Sequence, residues 1–179
     1  VSTPIQYAAI PGFEISHEMD NYFKITRNIH KIMGEYTYNT LTAIDGIKAT
    51  KPEATFYLLA DFNAYSPELH KAKITTSQKL SEALIVHPYH TAIVGGDSLV
   101  LERTDFSARI AYVDYDGAKV YDAYLAQTPK THSERTEFVQ NNAPKVVAGL
   151  TMIEKFFEAL KRDAVDELML MKNNLKIPN

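Results

Sequence analysis

The run Asp105-Phe106-Ser107-Ala108-Arg109-Ile110-Ala111-Tyr112-Val113-Asp114-Tyr115-Asp116-Gly117 sets one arginine, Arg109, inside an otherwise apolar, strand-like stretch. A guanidinium stays charged in a protein, and its planar fork matches a carboxylate in bidentate fashion. Arg109 therefore either closes an internal salt bridge or awaits an anionic ligand, and structural pairs are the commoner case. Three other groupings bear on chemistry. His87 and His90 flank Pro88-Tyr89 as half of a metal site would, but the proline breaks helical register and no cysteine completes a familiar ligand set, so they read as a solvated loop. Gly95-Gly96-Asp97 lacks the spacing and the lysine of a phosphate loop and reads as a turn between strands. Asp114-Tyr115-Asp116-Gly117 imitates the opening of a calcium loop without its third acidic ligand or closing glutamate. It reads as a strand end, with Asp114 or Asp116 capping the next helix.

The elements that must position these residues follow from hydrophobic period. Ile15, Met19, Tyr22, Phe23, Ile29, Ile32, Met33 and Tyr36 recur at helical steps, Leu41 and Ile44 extend the stripe, and Gly46 suits the left-handed residue that ends a helix. Two helices, or one bent at Gly34, fill residues 15 to 45. Phe56 to Phe62 reads as a buried strand and Asn63 to Leu69 as the loop after it. Thr75 with Gln78 forms a capping-box signature ahead of a helix carrying Leu80, Ala83 and Leu84, which Pro88 stops near His87. Thr91 to Val94 and Phe106 to Val113 read as strands, and Tyr115 to Leu125 as a helix. Residues 126 to 142 are polar, carry Pro129 and read as a long loop or partly disordered insertion. Pro144 opens a last helix whose face is Val146, Val147, Leu150, Ile153, Phe157 and Leu160, prolonged by Val165, Leu168 and Met171. The fold expected is α/β: a mixed or antiparallel sheet of about three strands, covered on one face by helices and preceded by a long N-terminal helix.

Composition narrows the function classes. A chain of 179 residues makes one domain or slightly more. A net charge of −3 without a basic tract argues against nucleic acid. No stretch approaches the roughly 18 uninterrupted apolar residues of a membrane span, and Glu14, Glu18 and Asp20 interrupt any secretory core near the start. With no cysteine there is no disulfide framework and no thiolate nucleophile, and the cytoplasm is the default compartment.

The Phe106-Ser107-Ala108-Arg109-Ile110-Ala111-Tyr112 run resembles the C-terminal signature of class I/II aminotransferases, pyridoxal-phosphate (PLP) enzymes of fold type I related to aspartate aminotransferase. Three segments agree in order and spacing. Ser2-Thr3-Pro4-Ile5-Gln6-Tyr7-Ala8-Ala9 resembles the segment leaving the family's large domain, Ala54-Thr55-Phe56-Tyr57-Leu58-Leu59 the strand facing the active site, and Thr91-Ala92-Ile93-Val94-Gly95-Gly96-Asp97 a family turn in which proline usually stands at the place of Gly95. The resemblance covers roughly residues 1 to 125. It implies an interdomain helical segment over 1–50 and a C-terminal small domain over 51–179 with an insertion near 126–142. It also implies that Arg109 grips the α-carboxylate of an amino-acid or 2-oxo-acid substrate and that Phe56 lines the pocket, Tyr57 pointing the other way. The family's PLP lysine, pyridine-nitrogen aspartate and phosphate cup all precede the Pro4 segment. The chain is accordingly expected to be a C-terminal portion of a larger homodimeric enzyme, without catalytic residues or covalent PLP of its own, inactive without the large domain. A C–S lyase or decarboxylase of the same fold, and a non-catalytic protein-binding module, are the alternatives.

Overall fold

The computed structural model describes residues 2–14 and 16–162. Helix α1, Thr3–Phe13, opens with Pro4 in its first turn, where a missing N–H costs nothing, and none of its residues is buried. Helix α2, His17–Ala43, is one continuous element of 27 residues. The Ser16 hydroxyl caps it by accepting from Met19 N at 3.1 Å. Gly34 does not divide it. A Cβ there would meet Pro52 Cγ at 2.9 Å and the Tyr112 hydroxyl at 3.0 Å, so the glycine admits close packing. Beyond α2 the chain turns at Gly46, φ +87°, and Ile47 is buried. Ile15, the first residue of the expected stripe, lies outside the described residues.

Strands β1 (Lys48–Ala49), β2 (Tyr57–Asp61), β3 (Val94–Gly95) and β4 (Ser107–Ala111) form one antiparallel sheet in the order β1-β2-β4-β3. The class is α/β with helix well in excess of strand, and the sheet has one strand more than the sequence suggested. The extra strand, β1, has two residues, too short for alternation to betray it. Its pairing is carried on by Thr50, whose N–H donates to Leu59 O at 2.8 Å.

Between β2 and β4 the expected loop after Phe62 is instead a 3₁₀ turn, Asn63–Tyr65, running into helix α3, Ser66–Lys71, with Pro67 in its first turn. Helix α4, Ser77–Ile85, is capped by Thr76 and not Thr75, the Thr76 hydroxyl accepting from Lys79 N at 3.2 Å. Beyond β4, Asp116 caps helix α5, Gly117–Ala126, by accepting from Lys119 N. Residues 132–142, expected as loop, form helix α6, His132–Asn142, held at its start by a complete capping box between Thr131 and Glu134. Helix α7, Pro144–Lys161, buries Val146, Leu150, Ile153, Phe156, Phe157 and Leu160. Val165, Leu168 and Met171 lie outside the described residues.

The two sheet faces differ. Leu58, Ala60, Ala108 and Ile110 are buried, while Tyr57, Leu59, Asp61 and Arg109 are half-buried on the other face. In the core the Phe157 ring lies 4.8 Å from that of Phe62 and 4.6 Å from that of Tyr65, centroid to centroid. Among the described residues no helix is long and apolar enough to cross a membrane.

Candidate functional site

Arg109 is central in β4, with Leu59 of β2 opposite it on one side and Val94 of β3 on the other. The period-two pleat turns it to the face that the helices leave partly open. Its guanidinium carbon stands 4.6 Å from the centroid of the Tyr57 ring, a cation–π contact that orients the fork. Among the described residues no carboxylate pairs with it.

The acidic groups nearest along the sheet are already engaged. Asp61 Oδ1 accepts from Asn63 N and from Asn63 Nδ2, each at 2.8 Å. Asp105 Oδ1 accepts from the Ser107 hydroxyl at 2.6 Å and from Asn63 Nδ2 at 2.9 Å. The Ser107 and Asn63 hydrogen bonds hold the Asp105 carboxyl below its usual pKa. An internal salt bridge, the commoner fate of such an arginine, is therefore not what the described residues form around Arg109.

Phe56 precedes β2 and is 36% exposed, so the strand's alternation does not fix its direction. Its ring lies 4.2 Å from that of Tyr57 and 6.1 Å from that of His30, centroid to centroid. The sequence reading sent Phe56 and Tyr57 to opposite faces. The structure brings their rings together and gives Tyr57, not singled out as a ligand contact, the role of seating Arg109.

Behind Phe56, His30 Nδ1 and the Tyr115 hydroxyl are 3.3 Å apart. Burial, and after it the nearby Tyr112 phenol, push Tyr115 up to about 12, and burial pushes His30 down. Both are therefore neutral at pH 7, and they share one hydrogen bond whose direction follows the His30 tautomer. No sequence spacing announced this pair, since its members are 85 residues apart.

The other groupings resolve as follows. The His87 and His90 rings meet edge to face at 5.6 Å, and among the described residues no set of three potential ligands forms around any metal position. The run read as a turn is divided: Gly95 ends β3, while Gly96 and Asp97 open a 3₁₀ turn, Gly96–Leu99. There the Ser77 hydroxyl donates to Asp97 Oδ1 at 3.0 Å while accepting from Asp97 N at 3.1 Å. A Cβ on Gly95 would lie 2.8 Å from Ser77 O, which accounts for glycine at that place.

The described residues do not fit PLP. A Schiff-base lysine needs a desolvated amine, whereas each described lysine is exposed, and Lys145 and Lys161 are committed to Asp114 and Asp45. Comparison with protein-family models, with curated proteins and with solved structures gives no match.

Proposed function

We propose that this chain is the small-domain portion of a PLP-dependent aminotransferase, in which Arg109 binds the α-carboxylate of the amino-acid or 2-oxo-acid substrate. The observation that carries the reading is the state of Arg109: fixed in mid-strand, seated on Tyr57, facing the open side of the sheet and without a carboxylate partner among the described residues. The resemblance of the four segments to the family supplies the chemistry. A guanidinium held by a ring presents two parallel N–H donors at a fixed angle, and a carboxylate that accepts both is oriented as well as bound. Orientation of this kind can supply several kcal/mol of a reaction barrier. Phe56, beside Tyr57, would form an apolar wall for the substrate side chain. The cofactor and its lysine would come from the large domain of the same enzyme.

Mixing the isolated chain with PLP tests the division of labour. The expected outcome is no stoichiometric adduct absorbing in the visible range, whereas a specific adduct at one lysine contradicts the reading. The wholly exposed helix α1 favours a second reading, a non-catalytic module that binds a protein partner. Under it, Arg109 substitutions leave the activity of the parent protein untouched.

A further inference from the structure

A cleft of about 800 Å³, within the range of small-molecule sites, lies between the exposed side of α2 and the segment joining β1 to β2. Its charge runs against that of the molecule. Lys24, Arg27 and Lys31 line it from α2, Lys51 lines it from the opposite segment, and the chain as a whole carries −3. Two carboxylates share the lining, Glu35 and Glu53. Glu35 is taken by Arg135 at 3.2 Å and approached by Lys31 at 4.0 Å. Lys24, Arg27 and Lys51 have no carboxylate partner among the described residues.

The Arg27 Nε–H donates to Phe23 O at 3.1 Å, which anchors the guanidinium by one edge and leaves its terminal nitrogens to other partners. Like charges brought together across a cleft repel unless an anion bridges them, and such a concavity concentrates anions from solution. Lys24 and Lys31 are seven residues apart on one helix face, a rise of roughly 10 Å at 1.5 Å per residue. A ligand that meets more than one of these cations has to carry more than one negative charge. The lining also includes the aromatic residues His30 and Tyr112.

From this geometry we infer that the cleft binds a small molecule carrying at least two phosphate charges, with Arg27 and Lys51 gripping it from opposite sides. Arg109 is not among the lining residues, so this site stands apart from the carboxylate site.

Calorimetric titration of the full chain with inorganic pyrophosphate at low ionic strength tests it, with succinate and a hexaglutamate peptide as comparators. The expected result is saturable one-site binding of pyrophosphate that raised salt weakens. In the Arg27→Gln/Lys51→Gln double variant the affinity should fall by about tenfold or more. It should be unchanged in Lys155→Gln, which removes an exposed charge on α7, and in Arg109→Gln. All four positions lie outside the buried core, and circular dichroism of each variant verifies that it folds. Absence of saturation at about 10 mM pyrophosphate, where even millimolar affinity registers, overturns the inference. So does an equal loss in Lys155→Gln, an unchanged affinity in the double variant, or tighter binding of succinate or the peptide.

Discussion

Arg109 is available to a ligand because its acidic neighbours hold other partners. Asn63 occupies Asp61, and Asn63 with Ser107 occupies Asp105. On the proposed function, Arg109→Ala in the parent protein should reduce kcat/KM by the equivalent of about 2 to 5 kcal/mol if the clamp is desolvated, and Arg109→Lys should restore only part of it, because an ammonium offers a point charge and no fork. Steady-state kinetics with one amino-acid donor measures both, and an unchanged kcat/KM removes Arg109 from the site. Asp105 gives a second prediction, in stability. Its folded pKa lies below the unfolded value near 3.9, so its contribution is complete above about pH 4 and fades as pH falls through the lowered folded value. Melting curves from pH 5 downward should show the Ser107→Ala variant losing less stability on acidification than the parent. Equal losses would mean that the Ser107 hydroxyl does not set the Asp105 carboxyl. Tyr115 acts at the other end of the scale. With a folded pKa pushed up to about 12, its contribution is full below about pH 10 and lost between there and pH 12, as absorbance titration of phenolate would follow.

At the scale of elements, the turn between β3 and β4 rests on contact between a glycine and a carbonyl. Gly95→Ala places a methyl 2.8 Å from Ser77 O and should cost about 1 to 3 kcal/mol by chemical denaturation, with the Ser77–Asp97 exchange of hydrogen bonds disturbed. An unchanged midpoint would show that the backbone yields there freely. Helix α6, like β1 and α3, is an element that the sequence reading missed. Only Phe138 and Val139 of its residues are buried, so it shows no apolar stripe, and Pro129 nearby encouraged the reading of a loop. The legible signal was Thr131 with Glu134 three residues on, a capping box of the kind sought at Thr75 and Gln78, where the cap proved to be the adjacent threonine. Helices α2 and α7 were legible because each has a broad buried face with period near 3.6. The strand readings for β2 and β4 kept their places and lost residues at their ends, whereas β3 shares only Val94 with the strand read over Thr91 to Val94 and takes in Gly95, which was read as turn. Of the candidate site, the setting of Arg109 in a strand drew attention in the sequence, and Phe56 was singled out only through the resemblance. Tyr57 beneath Arg109, and His30 against Tyr115, were not legible, because contact across a sheet or between a helix and a loop leaves no spacing in the chain.

At the scale of the whole molecule, α1 exposes Ile5, Tyr7, Ile10 and Phe13, and α2 adds Tyr22 and Phe23 at its start. Helix α1 holds no charged residue, so this surface has no electrostatic barrier to meeting another apolar one. Sedimentation over a range of concentrations should reveal self-association that Ile10→Asp suppresses, and a strict monomer at every concentration would show that the exposed helix needs no cover. The account as a whole turns on whether Arg109 recognises a carboxylate. Titrating the chain, labelled with ¹⁵N at arginine, with pyruvate should move the Arg109 Nε–H resonance selectively and saturably, leaving Arg103 and Arg162 in place, and the moving resonance should be missing in Arg109→Lys. A titration that shifts every arginine alike, or leaves Arg109 still, contradicts the assignment of this chain as the carboxylate-binding portion of an aminotransferase.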